Sequence, residues 1–250
     1  PSHPVSTRPG SRPGVTESAF QHNEVNQASL ASLNGPQGFA QAADGKFYVA
    51  DTENNRVLGW PSAAAATTGQ PASLIIGQPD AGVQRANSGY KANGSPCDDT
   101  SLNGPEGLAV DLAGNLYVAD VNNSRVLRFN QPFAQTERRM RANFVWGHDD
   151  YYLCSPNRAN SPAANSLNHP QSIYIFEKAD PVFPLASCSF LYVADSLNNR
   201  ILRFVLAAAT TAAKQTAVAV WGQGGNFTTV FPNGGGAVSA ASIASQRSRR

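Results

Sequence analysis

"NLYVADVNNSRVLRF", residues 115–129, sets two short apolar runs around a polar turn. It has two near-copies: "KFYVADTENNRVLGW" at 46–60 and "FLYVADSLNNRILRF" at 190–204. The runs are rich in β-branched and aromatic residues and are bounded by Asn, Asp and Gly, which is the pattern of a strand–turn–strand unit. Each copy keeps an Asp, an Asn and an Arg at fixed offsets. A chain that spells one hairpin three times is read first as a repeat architecture.

Working outward, each hairpin lies inside a longer unit. Unit one starts "SLNGPQGFAQAADG" at Ser32, unit two "SLNGPEGLAVDLAG" at Ser101, and unit three "SLNHPQSIYIFEKAD" at Ser166. Each closes on a shorter apolar echo: "SLIIGQ" (73–78), "NFVWGH" (143–148) and "VAVWGQ" (218–223). The Asp of "YVAD" falls at 51, 120 and 195, in steps of 69 and 75 residues; unit three carries ten extra residues between its first two strands. Each unit therefore reads as four strands, a to d: in unit two "EGLAVD", "NLYVAD", "RVLRF" and "NFVWGH". Gly45 and Gly114 stand in the a–b turn, where a hairpin needs positive φ. Short four-stranded sheets repeated along a chain are what β-propeller blades require. The fold class expected is all-β, a β-propeller of about three four-stranded blades, forming an incomplete ring or part of a larger propeller. Residues 1–31 read as an N-terminal tail and crossover, 32–223 as the blades (32–80, 101–148 and 166–223), and 224–250 as a C-terminal crossover and basic tail.

The pattern P-x-G-x-A-V-D-x-x-G-N-L-Y-V-A-D-x-x-N-x-R-V-L-R-F resembles the NHL repeat, the blade unit of one β-propeller family. Unit two follows it almost throughout. Unit one departs at Gln41 and Ala42, and unit three at His169, at Ser172 and in its insertion. The resemblance covers about residues 32–223. It implies the fold; the family includes scaffolds, sensors, RNA binders and a few enzymes, so function has to be argued from sites.

The b–c turn repeats D-x-x-N-x-R: Asp51, Asn54 and Arg56; Asp120, Asn123 and Arg125; Asp195, Asn198 and Arg200. A short turn leaves backbone donors unpaired, which Asp and Asn side chains accept, and Asn tolerates left-handed backbone. The Arg opening strand c is expected to fork onto the carboxylate with two parallel bonds. The triplet is assigned to building the turn. Along strand b, Leu116 and Val118 are expected to face one neighbouring blade and Tyr117 and Ala119 the other, with Leu127 and Phe129 continuing the second pattern.

Propeller topology places the b–c turns and the d-to-a crossovers at one end of the strands, and the a–b and c–d connections at the other. The crossovers 79–100, 149–165 and 224–241 are long against typical connections of ~4–6 residues, and long loops on a rigid scaffold are where binding resides. Within "GHDDYYLCSPN" (147–157), His148, Asp149, Asp150, Tyr151 and Tyr152 form a candidate partner-binding loop; the alternative makes the tyrosines anchors packed on the blades. The acidic pairs Asp98–Asp99 and Asp149–Asp150 lack the further oxygen ligands of a calcium loop, so no metal ligand is assigned. Arg138, Arg139 and Arg141 in the c–d linker read as solvated charge, since stacking aromatics are scarce nearby.

Three cysteines, Cys97, Cys154 and Cys188, fit no CxxC metal site, and one disulfide plus a free thiol or three thiols are both compatible with the count. On the propeller topology Cys97 and Cys154 lie at the crossover end and Cys188 at the other, so a disulfide, where one forms, joins Cys97 to Cys154.

Of four histidines, His3 and His22 lie in the N-terminal tail and His169 stands alone at a strand entrance. No Ser-His-Asp set or phosphate loop is evident, and neither a catalytic residue nor a cofactor is assigned. Charged residues are 14% with a net charge of +2, so composition builds no attraction to nucleic acid. No apolar run approaches the ~20 residues of a membrane helix. Sequons at Asn93, Asn122 and Asn226 lean toward an extracellular setting. The chain opens on Pro1 without a visible signal peptide, as a processed chain or a segment of a longer one would. Its end, with Arg247, Arg249 and Arg250, reads as a flexible tail or a processing scar.

Three blades do not close a ring of ~4–8. The expected partners are therefore additional blades or chains that complete the propeller, or a protein cap. The expected function is a non-catalytic scaffold for protein interaction or assembly. Its alternatives are a metal-dependent propeller enzyme, lyase- or lactonase-like, with ligands in missing blades, and an RNA-binding NHL surface.

Overall fold

A computed structural model describes residues 28–67, 69–88, 94–178, 188–206 and 215–236. Twelve strands form three separate four-stranded sheets among these residues. Blade 1 comprises β1 (Gly38–Gln41), β2 (Phe47–Asp51), β3 (Arg56–Trp60) and β4 (Leu74–Ile76). Blade 2 comprises β5 (Pro105–Val110), β6 (Leu116–Asp120), β7 (Arg125–Phe129) and β8 (Phe144–Trp146). Blade 3 comprises β9 (Pro170–Lys178), β10 (Cys188–Asp195), β11 (Arg200–Val205) and β12 (Ala219–Trp221). Every sheet is an antiparallel meander in sequence order, the arrangement of consecutive propeller blades.

The b–c hairpins share one register, with Asp51 opposite Arg56, Asp120 opposite Arg125 and Asp195 opposite Arg200. Each closes through a single 3-10 turn (Thr52–Asn54, Val121–Asn123, Ser196–Asn198) and one left-handed residue: Asn55, Ser124 and Asn199, with φ of 54°, 53° and 52°. The left-handed residue thus follows the triplet Asn rather than being it. In the a–b turns Gly45 and Gly114 take φ of 90° and 83°.

Side chains alternate across each strand, so both faces of the middle blade are covered. Leu116, Val118, Leu127 and Phe129 pack with Tyr48, Ala50, Val57 and Ile76 of blade 1. Tyr117, Ala119, Val126 and Trp146 pack with Leu191, Val193, Leu202 and Phe204 of blade 3. The reading of strand b holds. Leu127 and Phe129, however, lie on the Leu116–Val118 face. With Asp120 opposite Arg125, Val118 meets Leu127 and Leu116 meets Phe129, and directly opposed residues share a face. Burying each such side chain is worth roughly 1.5–3 kcal/mol.

Innermost strands of successive blades touch backbone to backbone, and glycine makes this possible. A Cβ on Gly38 would run into the Glu106 carbonyl, and one on Gly107 would meet the Gln171 carbonyl at 2.8 Å. At the outer edge, Leu102 seats against Gly77 (φ 95°) and Leu167 against Gly147 (φ 95°).

Candidate functional site: the crossover end of the blades

In blade 2 Asp120 Oδ1 accepts the Asn103 N–H at 2.7 Å, and its Oδ2 accepts Asn123 Nδ2 and Arg125 Nε, both at 2.7 Å. Arg125 then leaves its own sheet. Its Nη1 donates to the Tyr151 carbonyl at 2.6 Å, and its Nη2 to the carbonyls of Asp98 and Ser101 at 2.9 and 3.0 Å. One guanidinium thus ties the hairpin to the crossover entering the blade and to the crossover leaving it. The expected bidentate fork is not formed: a single Nε bond reaches the carboxylate, and the other nitrogens hold main chain.

Blades 1 and 3 repeat this clamp. Arg56 bonds Asp51, Ala81, Ser29 and Ser32. Arg200 bonds Asp195, Phe227, Ala163 and Ser166. All six charged side chains are fully buried. Burial pushes the carboxyls of Asp120 and Asp195 up; the neighbouring Arg, the triplet Asn and a backbone N–H pull them back. Desolvation on this scale is tolerable because both carboxylate oxygens and all three guanidinium nitrogens are hydrogen-bonded.

A second set of contacts joins adjacent blades. Asn87, in the crossover between blades 1 and 2, exchanges two amide bonds with Asn123, at 3.0 and 2.8 Å. Asn157, in the next crossover, does the same with Asn198, at 3.2 and 2.8 Å. The N–H groups of Asn87 and Asn157 also donate to the carbonyls of Leu102 and Leu167, at 2.9 and 2.8 Å. Sequence reasoning missed these crossover asparagines, although a shared Pro before Asn157 and Asn233 marks two of them.

His148 is not part of an exposed loop. It is buried, with Nε2 at 3.2 Å from the Asn123 carbonyl and, among the described residues, no hydrogen-bond partner at Nδ1. Gln78 and Gln223 occupy its place in the other blades and donate to Asn54 and Asn199 carbonyls respectively. Residue two after strand d is therefore a strut beneath the b–c turn. Burial, then the charge of Arg125, lowers His148 to about 4.

The rest of the proposed loop is divided. Tyr151 packs against the core between blades 1 and 2 and gives its carbonyl to Arg125. Asp150 accepts the N–H groups of Tyr152 and Leu153 at 2.8 and 3.1 Å. Asp149 pairs with Arg158. Tyr152 and Leu153 are the exposed hydrophobics of this loop, beside a polar cavity of about 350 Å³ that Asp149, Leu153 and Arg158 help to line. Asp98 Oδ1 accepts from Thr100, and Asp99 meets Arg141 at 2.9 Å. Cys97 and Cys154 are joined by a disulfide, Cα–Cα 6.4 Å, which links successive crossovers. Asn122 and Asn226 are exposed; Asn93, His3, His22 and the C-terminal arginines lie outside the described residues. Among the described residues no helix is long and apolar enough to cross a membrane.

The NHL repeat family model matches residues 33–60 and 102–129. Teneurin-4 of Homo sapiens and Teneurin-4 of Mus musculus are each 31% identical over 113 residues, 43% of this chain. The chain spans about 4% of the length of these curated relatives. Among solved structures, a luciferin-regenerating enzyme aligns with a TM-score of 0.34 at 14% identity, covering 79% of this chain and 48% of that one. A streptogramin B lyase aligns with a TM-score of 0.31 at 16% identity, covering 78% and 55%. Residues 33–60 end with strand β3 and residues 102–129 with strand β7, so each match takes in the a, b and c strands and the buried clamp between them. The first two blades of this chain each match the NHL repeat model, and the third carries their Asp–Asn–Arg set on a sheet with a longer first hairpin.

Proposed function

We propose that these blades act as a scaffold for protein interaction or assembly. The observation that carries this reading is the aromatic surface exposed on blades 1 and 3 among the described residues. Phe39 on blade 1 is 74% exposed, and Tyr174 and Trp221 on blade 3 are 62% and 42% exposed. Contiguous aromatic surface of this kind marks an interaction site. The clamps supply the rigidity that a scaffold needs, and the Cys97–Cys154 disulfide suits an oxidising, extracellular compartment.

The test is a photo-crosslinking residue, benzoylphenylalanine, placed at Phe39 or at Tyr174 in the expressing cell. Covalent adducts to protein at both positions are expected. Absence of adducts at both, together with stoichiometric tightly held zinc or calcium in the purified protein, would replace the scaffold with a metal-dependent enzyme. Salt-sensitive retention of RNA without protein adducts would replace it with an RNA-binding surface.

A further inference from the structure

Each blade hands its outgoing crossover to the clamp in the same way. The Nη1 atoms of Arg56, Arg125 and Arg200 donate to the carbonyls of Ala81, Tyr151 and Phe227. The residue just before that carbonyl is Asp80, Asp150 or Asn226. In all three its Oδ1 turns back onto the N–H two residues on. Asp80 accepts from Gly82 at 3.1 Å, Asp150 from Tyr152 at 2.8 Å and Asn226 from Thr228 at 2.8 Å. One side-chain oxygen is all that such a turn requires. A carboxylate supplies it in blades 1 and 2. Blade 3 uses an amide, and the turn makes no use of the amide nitrogen: among the described residues Asn226 Nδ2 donates no hydrogen bond.

Asn226 also opens the triplet Asn226, Phe227, Thr228, an N-x-T acceptor pattern for N-linked sugar. The fold presents its two ends and hides its middle. Phe227 packs on the core between blades 2 and 3, and its carbonyl is held by Arg200. Asn226 and Thr228 are exposed on either side of it. Thr228 Oγ1 donates to Asn226 Oδ1 at 2.8 Å, so the hydroxyl that defines the triplet lies against the amide to be modified. The residues leading in are Gly224 and Gly225, where a Cβ would meet nothing within 4 Å. The chain on that side of the amide stands in open space.

The sequon at Asn122 is built the other way. Asn122 Nδ2 donates to Asn103 Oδ1 at 3.2 Å, and Asn123 exchanges amide bonds with Asn87. Ser124 is fully buried, its hydroxyl accepting the His169 N–H at 3.4 Å. Amide and hydroxyl are thus committed to different neighbours. We propose that Asn226 carries an N-linked oligosaccharide and that Asn122 does not. The donor class is an oligosaccharide carried on a polyprenyl diphosphate. In the transfer Asn226 Nδ2 bonds to the sugar C1, the bond from C1 to the diphosphate oxygen breaks, the nitrogen gives up one proton, and the polyprenyl diphosphate leaves. The Cys97–Cys154 disulfide suits the oxidising compartment in which such a transfer takes place.

The test uses the intact chain secreted from eukaryotic cells behind a cleavable signal peptide. Peptide-N-glycosidase in heavy-oxygen water turns each glycosylated Asn into a heavy-oxygen Asp, which peptide mass spectrometry reads site by site. Label at 226 and none at 122 is expected. Thr228→Ala keeps the backbone N–H that closes the turn and removes the hydroxyl, so the label at 226 should vanish while the circular dichroism holds. Asn226→Asp copies Asp80 and Asp150; it should also keep the fold and lose one glycan from its mass. Unlabelled Asn226 in the secreted, disulfide-bonded chain overturns the proposal, and so does label at Asn122 equal to that at Asn226. Neither result touches the adducts expected from Phe39 and Tyr174, so the scaffold reading stands or falls separately.

Discussion

Replacing Asp120 with Asn tests whether the repeated triplet holds the blades together or is kept for a ligand. The substitution preserves volume and one acceptor. The oxygen of the new amide can still accept the Asn103 N–H, but its NH2 group then faces two donors, Arg125 Nε and Asn123 Nδ2, now 2.7 Å from the carboxylate. Turning the amide over only moves the conflict to Asn103. Arg125 is left charged, buried and held by carbonyls alone. Breaking a buried pair from one side costs ~3–5 kcal/mol, against a total stability of ~5–15 kcal/mol. With a urea slope of about 3 kcal/mol per molar, a loss of about 4 kcal/mol lowers the unfolding midpoint by roughly 1.3 M. Trp146 is buried in the same blade, so its fluorescence follows the transition. The control is Arg141→Ala, which removes a largely exposed guanidinium from its pair with Asp99 and is expected to cost ~0–1 kcal/mol. If Asp120→Asn moves the midpoint no more than Arg141→Ala does, the clamp is not structural and the triplet is free for another role.

The Cys97–Cys154 disulfide closes a loop of 57 residues, worth about 4 kcal/mol in chain entropy; a Cys97→Ser/Cys154→Ser double variant should lose most of it in denaturant titrations run without reductant. Burial holds His148 at about 4, below its unfolded value of ~6.5, so the unfolded chain takes up the proton first. The stability this residue allows is complete above about pH 6.5 and falls as the pH drops toward 4, by up to ~3 kcal/mol. Arg125 and Arg158 oppose the proton and Asp150 favours it. His148→Gln, copying Gln78 and Gln223, should remove this part of the slope when urea midpoints at pH 7 and pH 4.5 are compared between variant and parent. Gly107→Ala drives a Cβ to within 2.8 Å of the Gln171 carbonyl and 2.9 Å of Ser172 Cα; an overpacking cost of ~1–3 kcal/mol should appear as a lower thermal midpoint.

The blades were legible because strand chemistry repeats at short range. The alternation in "LYVAD" and the glycines of the a–b turn are local facts, and so is the triplet. What escaped was the destination of side chains that leave their own hairpin. Arg125 looks like a partner for Asp120 alone, because nothing local says that its Nη atoms hold carbonyls 24 to 27 residues away. His148 reads as a loop histidine until it is aligned with Gln78 and Gln223; the alignment was available in "GQ", "GH" and "GQ", but the strut under the turn was not. The facing of Leu127 failed for a simpler reason: hairpin register depends on turn length, and one residue of error reverses every side chain.

Insertion tolerance follows from where the clamps sit. The incoming carbonyl held by each Arg Nη2 lies 27 residues before Arg56, 27 before Arg125 and 37 before Arg200. The outgoing carbonyl lies 25, 26 and 27 residues after. The ten additional residues in blade 3 therefore fall inside the incoming span, yet the guanidinium reaches the same main-chain position. This is possible because the insertion joins β9 to β10 at the end of the sheet away from the b–c turn. Lengthening there extends a hairpin without moving Asp195, Asn198 or the crossover they hold. The same ten residues placed between Asp195 and Arg200 would separate carboxylate from guanidinium and leave both buried charges unpaired. The crossover end is thus held to a fixed geometry in all three blades, and the opposite end is where the chain has room to vary.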